Sequence, residues 1–376
     1  MRYKAVATTL FGMEKTAEFE LSKLGIPKEK ITDGKVYFSA DDRDIARANI
    51  NLRTVSRVSI LLAEFDCKSF DDLYFNILKL DLRHYFNPRT AFPVSKAKSV
   101  SSRLTSVPAL QRTVKKALVS NLKKTFGVSS LTEDQGQVPV NLLLVKDKAQ
   151  LMIDTSGETL YKRGYRQKSA VSPVRETIAS YMIMSSPWTA SRAFCDPLCG
   201  SGTIAIEAAM IGMNMAAGVN RDFAGENYTF MDKSVWKAAR NEALAGEKDM
   251  DFKIRASDIN PLYIETAREN AALAGVDHLI DFEVKDVEDL NIADKNGFVI
   301  TNPPYGVRME DIDMTELYRK MKKGFSKLDN WSYYIISADM EIGSKIGINF
   351  QKNRKIYNGG LKTYLFSYLA PKPKNI

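Results

Sequence analysis

The stretch Phe194-Cys195-Asp196-Pro197-Leu198-Cys199-Gly200-Ser201-Gly202-Thr203-Ile204-Ala205-Ile206 runs from an apolar strand through a glycine-bearing turn into an apolar helix. Gly200 and Gly202 carry no Cβ, so backbone there can approach a ligand closely. The helix behind them presents unpaired N–H groups and the positive end of its dipole, which favours negative charge. The turn is not a P-loop, because no Gly-Lys-Ser/Thr follows, and it lacks the third glycine of a dinucleotide fingerprint. A tight turn needs glycine in any case, so this stretch settles the local fold and leaves the ligand open.

The same alternation extends to both sides. A helix over 174–184 is opened by Ser172-Pro173, serine as cap and proline in the first turn. Beyond the turn the pattern predicts strands at 192–196, 253–258, 280–285, 298–301 and 332–337. It predicts helices at 203–213, 262–274, 315–327 and near 340–346. Alternating strands and helices predict a doubly wound, mostly parallel α/β sheet. Strands at 355–357 and 362–369, separated by Asn358-Gly359-Gly360, add an antiparallel edge. Residues 221–246 read as a long helical insertion that the pattern does not place.

The front of the chain reads differently. Strands are expected at 3–10, 35–39, 55–64, 94–101, 138–147 and 150–156. Helices are expected at 13–24, 41–49, 70–78 and 107–126. This is one or two compact α+β modules within residues 1–155.

The whole chain has 376 residues, 44% hydrophobic and 26% charged, enough for two or three folded domains. No apolar run reaches the ~18 residues of a membrane span, and the N-terminus lacks a signal-peptide pattern, so the cytoplasm is expected. Cys67, Cys195 and Cys199 are too few for a disulfide framework and wrongly spaced for zinc, and no metal is expected.

The net charge of +9 is uneven: residues 1–160 hold 25 Lys/Arg and 18 Asp/Glu, whereas residues 161–376 hold 29 and 27. Residues 82–132 contain no carboxylate and ten cations: Arg83, Arg89, Lys96, Lys98, Arg103, Arg112, Lys115, Lys116, Lys123 and Lys124. A field of one sign over such a length points to a polyanionic partner bound largely through phosphates. Lys162, Arg163, Arg166 and Lys168 form a second cluster, interleaved with Tyr161 and Tyr165. Cations and rings together suit phosphate and base contacts, and equally a solvated linker.

Three further motifs follow the strands in order. Ser257-Asp258-Ile259-Asn260 ends one strand; a carboxylate there can hold ribose hydroxyls, or cap the next helix. Val284-Lys285-Asp286 ends the next, where Asp286 is placed to meet an adenine amino group or is an ordinary surface aspartate. Asn302-Pro303-Pro304-Tyr305-Gly306 follows the apolar Phe298–Thr301 and is the most specific signal in the chain. Consecutive prolines fix φ and remove N–H donors, so the Asn302 and Pro303 carbonyls can face a cleft without a local N–H competing. The Asn302 side chain adds an acceptor, and Tyr305 a flat face for a base.

The order Asp196-Pro197-x-Cys199-Gly200-Ser201-Gly202-Thr203, Ser257-Asp258, Asp286, Asn302-Pro303-Pro304-Tyr305-Gly306 resembles class I S-adenosylmethionine-dependent methyltransferases that act on nucleobase amines. The front resembles a ferredoxin-like module followed by a THUMP RNA-binding domain. The junction Leu160–Arg166 and the helix start Ser172–Thr177 are similar to the same family. Over essentially the whole chain the resemblance is to the bacterial large-subunit ribosomal RNA guanine-N2 methyltransferases. It implies a ferredoxin-like module at 1–44, a THUMP domain at 45–155, a linker at 156–171 and a Rossmann-like methyltransferase domain at 172–376. That domain would carry a seven-stranded sheet with an antiparallel last strand, with no room for a second methyltransferase domain.

The resemblance also implies roles. S-adenosylmethionine would lie across the strand ends, its methionine part near Cys199, Gly200, Ser201, Gly202 and Thr203 and its amino group near Asp196. Asp258 and Ile259 would meet the ribose side, Asp286 the adenine, and Glu176 would contribute from the preceding helix. Asn302 and Pro303 would accept hydrogen bonds from the target amine, with Pro304 and Tyr305 completing the corner. Neither a metal nor a covalent intermediate is needed. RNA is the implied partner, ribosomal rather than transfer RNA, and no obligate protein partner is inferred. Alternatives are a transfer-RNA guanine-N2 methyltransferase, a DNA adenine-N6 methyltransferase, and a non-catalytic ribosome-assembly factor.

Overall fold

A computed structural model describes residues 1–166, 174–304, 313–358 and 361–372. In the front half, β1 (Tyr3–Thr9), β2 (Lys28–Thr32), β3 (Lys35–Ala40), β4 (Val55–Asp66), β5 (Val94–Val100), β6 (Val140–Val145) and β7 (Lys148–Asp154) form one sheet. Its order is β2-β3-β1-β4-β7-β6-β5. Every pairing in it is antiparallel except β5 with β6. Strand β4 pairs with β1 on one edge and β7 on the other, so the two expected modules share a continuous sheet.

Four helices accompany this sheet: α1 (Glu14–Lys23), α2 (Asp42–Asn51), α3 (Phe70–Leu78) and α4 (Val107–Phe126). Asp41 with Asp44 and Ser69 with Asp72 form reciprocal capping boxes that start α2 and α3. The apolar side of α4, including Leu110, Val114, Leu118 and Leu122, is buried. Gly127, at φ +66°, ends α4 in the left-handed conformation. Strand β2 is an addition to the expected set: its sequence Lys-Glu-Lys-Ile-Thr is mostly exposed and shows no apolar alternation.

The second half is an α/β unit with a sheet of its own. The elements α5 (Glu176–Met184), β8 (Phe194–Asp196), α6 (Thr203–Gly212), α7 (Ser234–Ala245), β9 (Ile254–Asp258), α8 (Pro261–Ala274) and β10 (Ile280–Val284) come first. Then follow β11 (Phe298–Thr301), α9 (Met314–Phe325), β12 (Ser332–Ser337), α10 (Ile342–Ile346), β13 (Lys352–Asn358) and β14 (Leu361–Tyr368). The sheet order is β10-β9-β8-β11-β12-β14-β13. The first five strands run parallel and β14 is antiparallel to both of its neighbours. Strand order therefore reverses beside β8, between β8 and β11, and ligands of open α/β sheets bind outside the carboxyl ends of the strands at such a switch. No described helix is long and apolar enough to cross a membrane.

Residues 221–246 are helical only in part: one 3-10 turn at Ala224–Asn227, then α7. They fasten the two halves together. Arg43 and Arg47 of α2 both pair with Glu242 of α7, at 3.1 and 3.0 Å. The Asp232 N–H bonds Asp42 at 3.0 Å, and the Gly225 N–H bonds the Thr155 carbonyl at 3.0 Å. Trp236 stacks on Phe223 in a buried contact.

Beneath this lies a buried polar cluster centred on Glu207 of α6, which is fully buried. Its carboxylate accepts from Tyr165 Oη at 3.1 Å and Arg163 Nε at 3.4 Å, and from Ser180 Oγ; Arg53 of the front half stands 3.9 Å away. Burial leaves Arg163 4% exposed, which removes it from any nucleic-acid surface and corrects the expectation from the sequence. An uncompensated buried cation is costly, and Glu207 supplies the compensation.

Candidate active site

The glycine turn and the proline corner emerge side by side. Strand β11 pairs in parallel with β8, Phe298 opposite Phe194 and Val299 opposite Cys195. Carried one residue on, this register sets Ile300 opposite Asp196, and the hydroxyl of the next residue, Thr301, donates to Asp196 Oδ1 at 2.6 Å. Asn302 follows immediately, partly exposed, and Pro303 is buried. The positions Tyr305 and Gly306 lie outside the described residues.

Asp196 is 1% exposed. Burial pushes its carboxyl up to about 7, against the lowering effect of the bonds from Thr301 and the Leu198 N–H; the charge of Asp258 adds to the rise.

The turn is held from behind. The Cys199 N–H bonds the Ser257 carbonyl at 2.9 Å, and the Gly202 N–H bonds the Cys199 carbonyl at 2.9 Å. Asn270 of α8 donates to the Ser201 carbonyl at 3.1 Å. Gly200 and Gly202 have φ of +52° and +83°. A Cβ at Gly202 would stand 3.0 Å from Ala267 Cβ and 3.3 Å from the Phe282 ring.

Asp258 Oδ2 accepts the Gly200 N–H and Oδ1 the Asn260 N–H, each at 3.0 Å. Asn260, not Asp258, caps α8, through the Leu262 N–H. Burial raises the Asp258 carboxyl. Ile259 beside it is 62% exposed, with Leu262 at 68% and Val284 at 55%, an apolar lip along this side of the strand ends. Asp286, next along, accepts the Glu288 N–H at 3.1 Å and is paired with Lys320 of α9.

On the other flank, α5 begins at Glu176 rather than at Val174; Lys168, Ser172 and Pro173 lie outside the described residues. Glu176 is 3% exposed, and burial raises its carboxyl despite the nearby Arg166. Arg166 does not face outward as expected of a nucleic-acid contact: its Nη2 donates to Thr203 Oγ1 at 2.9 Å and to the Val174 carbonyl at 2.8 Å, and pairs with Glu176 at 3.2 Å. Sequence alternation could not show this, because the partners lie up to 37 residues away.

Among the described residues, Asp196 Oδ2, Asn302 Oδ1, Ser201 Oγ, Glu176 Oε2, Thr177 Oγ1 and Arg166 Nε are buried without a hydrogen-bond partner. Buried polar groups are normally paired, and six of the eleven such open atoms among the described residues belong to the end of β8, the segment that follows β11, the glycine turn, the start of α5 and Arg166, which bonds the first residue of α6. A ligand with both cationic and hydroxyl groups suits the acceptors, and one with an anionic end suits the helix starts. S-adenosylmethionine fits that donor and acceptor set.

The basic residues of the front half divide by partner. Arg83 pairs with Asp81, Arg89 with Asp134, Arg103 with Asp147, and Lys115 with Glu133; Lys162 pairs with Glu158. Lys96 and Lys98 are exposed on β5, the edge strand. Burial lowers Lys96, as does the nearby Arg57, while Asp154 and Tyr161 raise it. Arg112, Lys116, Lys123 and Lys124 lie along α4, with Lys116 5.7 Å from the Tyr74 ring. At the junction Arg175 lies 5.2 Å over the ring of Tyr161.

Three family models match the chain: an RlmL ferredoxin-like domain over residues 4–59, a THUMP domain over 67–154, and an RMKL-like methyltransferase domain over 163–366. The curated relative "Putative RNA methyltransferase YpsC" of Bacillus subtilis is 38% identical over 371 residues, covering 98% of this chain and 96% of its own. The structure of a "predicted N6-adenine-specific DNA methylase" from Listeria monocytogenes is 38% identical, with a TM-score of 0.93 over 99% of this chain and 97% of that one. The structure of SMU.472 complexed with SAH is 36% identical, with a TM-score of 0.94 over 99% of each chain. With the strand order, the glycine turn and the proline corner in place, the chain belongs to the RMKL-like methyltransferases, with RlmL-type ferredoxin-like and THUMP domains in front.

Proposed function

We propose that the protein transfers a methyl group from S-adenosylmethionine to the exocyclic N2 amine of a guanine in RNA, with 23S ribosomal RNA as substrate. The observation that carries this reading is the buried, unpartnered Asn302 Oδ1 at the end of β11, beside Asp196 and the glycine turn. The YpsC relative's name and the THUMP match support RNA as the substrate class. The SAH complex of SMU.472 supports the cofactor.

When bound, S-adenosylmethionine supplies an activated methyl on a sulfonium. The chain supplies the rest. The exocyclic amine is a poor nucleophile, its lone pair delocalised into the ring. Asn302 Oδ1 and the Pro303 carbonyl accept its two hydrogens, turning the lone pair out of conjugation and stabilising the positive charge that develops there. Asp258 would hold the ribose and Asp286 the adenine, and the Gly200–Gly202 backbone would meet the methionine part. Tyr305 stacks on the target base, which leaves its helix or loop to enter. Residues 1–44, 45–155 and 156–171 act as ferredoxin-like module, THUMP domain and linker, delivering RNA to residues 172–376 by shape and phosphate.

Nucleoside mapping of ribosomal and transfer RNA from a deletion strain tests this. Loss of one N2-methylguanosine from 23S RNA is the expected result. Loss from transfer RNA instead would move the substrate, and intact RNA with loss of N6-methyladenine from DNA would overturn the reading.

A further inference from the structure

We propose that the β13–β14 hairpin grips the phosphates of the RNA strand entering the crevice, through Lys355 and Lys362, an inference that rests on the reading of the substrate as RNA. Charge distribution is the first observation. Residues 342–376 contain seven Lys/Arg and no carboxylate. Residues 161–376 as a whole are only +2, so residues 161–341 carry a net −5 and the positive charge of this half gathers in its last 35 residues. A field of one sign beside a crevice attracts a polyanion.

Strand register places the hairpin. Thr301 of β11 pairs with Ile335 of β12, and two residues on Ser337 pairs with Tyr364 of β14, which pairs with Lys355 of β13. Because β14 is antiparallel, its first residues reach past the carboxyl end of β12: the pair Tyr357 and Lys362 lies two residues beyond Ser337. The hairpin therefore rises at the same end of the sheet as Asn302 and the glycine turn. With strands ~4.8 Å apart, β14 and β13 stand about 10 and 14 Å from β11. That is the rise of roughly three to four stacked nucleotides.

The side chains suit phosphate. Lys355, Tyr357, Lys362 and Tyr364 share one face of the hairpin by alternation and pairing. Lys355 Nζ lies 4.9 Å from the centre of the Tyr357 ring, and Lys362 Nζ 5.4 Å from that of Tyr364. The rings seat the ammonium groups without neutralising them. Both lysines are exposed, and neither forms an ion pair among the described residues. The carboxylates just past β12, Asp339 and Glu341, pair with Lys345 instead, at 2.8 and 3.6 Å. The opposite face of the hairpin is anchored by Ile356, Thr363 and Leu365, all buried. The front half reaches the same strand: a Cβ at Gly12 would stand 3.1 Å from the Lys355 carbonyl. A strand held by the front half thus crosses these two lysines on its way to Asn302. An acidic protein segment would meet the same charges, but only a nucleic acid explains their place between the THUMP-bearing half and the proline corner.

The test uses ribosomal RNA purified from a deletion strain. Replacing Lys355 and Lys362 together with alanine should raise KM for this RNA about 10-fold and reduce the slope of log affinity against log salt by about 1–2, one step for each phosphate released. Turnover at saturating RNA and S-adenosylhomocysteine affinity should stay at wild type. Replacing both with arginine keeps the charges and should restore the slope. Lys372→Ala is the control; its neighbour Pro371 accepts from Asn330, just before β12 and so at the opposite end of the sheet, and neither KM nor slope should move. Wild-type KM and slope in the double alanine variant, or the same change in Lys372→Ala, would remove the grip, as would a fall in kcat with KM unchanged. Wild-type protein that neither binds nor methylates the RNA would overturn the substrate reading itself, a failure seen before any variant is made.

Discussion

The Thr301 hydroxyl donates to Asp196 Oδ1 at 2.6 Å, across the pair of strands where the sheet order reverses. This bond ties the proline corner to the glycine turn, and it covers only one carboxylate oxygen. Asp196 Oδ2 stays buried and open, and the carboxyl rises from an ordinary 3.8 to about 7. Folding therefore binds a proton between those values. Its contribution to stability is full below about pH 4 and is lost as pH rises toward 7. In ligand-free protein, urea midpoints should fall between pH 5 and pH 8, and Asp196→Asn should flatten that fall by on the order of a few kcal/mol. An unchanged slope in the variant would place the titration elsewhere.

Gly202 combines φ +83° with close packing: a Cβ there would sit 3.0 Å from Ala267 Cβ and 3.3 Å from the Phe282 ring. Gly202→Ala should cost about 1–3 kcal/mol, from the backbone conformation and the crowding together. The same change should weaken S-adenosylhomocysteine, since α8 and the turn must separate. Thermal unfolding and calorimetry read the two effects; a variant as stable as wild type would mean the turn relaxes freely.

Much of this was legible in the sequence because the signals are local. Apolar periodicity placed α3 and α4 at their observed bounds, and the strand-ending motifs fell at the ends of β8, β9, β10 and β11. What escaped depends on distant partners. The sequence from 82 to 132 looks like an unbroken cationic field, yet Asp134 and Asp147 reach back to Arg89 and Arg103. Arg163 and Arg166 look like surface cations in a basic linker, yet Glu207 and Glu176 draw them inward from helices that begin later in the chain. Strand β2 was hidden for another reason: it is an exposed edge of charged residues, which is how edge strands resist pairing with other chains.

Lys96 and Lys98 are exposed on the edge strand β5 and, like Arg112, Lys116, Lys123 and Lys124 on α4, form no ion pair among the described residues. Replacing both with alanine should weaken RNA binding and reduce the slope of log affinity against log salt by about 1–2, close to one for each phosphate no longer neutralised. Replacing Arg89, which is spent on Asp134, should change that slope little. Filter binding across a salt series distinguishes the two; equal effects would mean the surface pairs open on binding.

Glu207 holds Arg163 and Tyr165 inside the protein with no exposure of its own. Glu207→Ala leaves the Arg163 charge buried without its partner and should destabilise by about 3–5 kcal/mol. Because the cluster joins α6 to Arg53 of the front half, the loss should also loosen the docking of the two halves, read as faster proteolysis within residues 156–166. Wild-type stability would mean that the backbone carbonyls of Leu160 and Arg53, which Arg163 also contacts, suffice.

Asn302 offers the sharpest test of chemistry as opposed to binding. Its Oδ1 is buried with no partner among the described residues, although the residue itself is partly exposed. No hydrogen bond among the described residues uses that oxygen, and replacing it should leave stability near wild type. Asn302→Ala removes one of the two proposed acceptors for the amine. Turnover on RNA should fall by on the order of 10²-fold or more, while S-adenosylhomocysteine affinity changes little. Asn302→Asp keeps an acceptor and adds charge, and Asn302→Ser keeps only a shorter hydroxyl; turnover should rank wild type, Asp, Ser, Ala if acceptance of the amine hydrogens is what counts. Wild-type turnover in the alanine variant would remove Asn302 from the reaction.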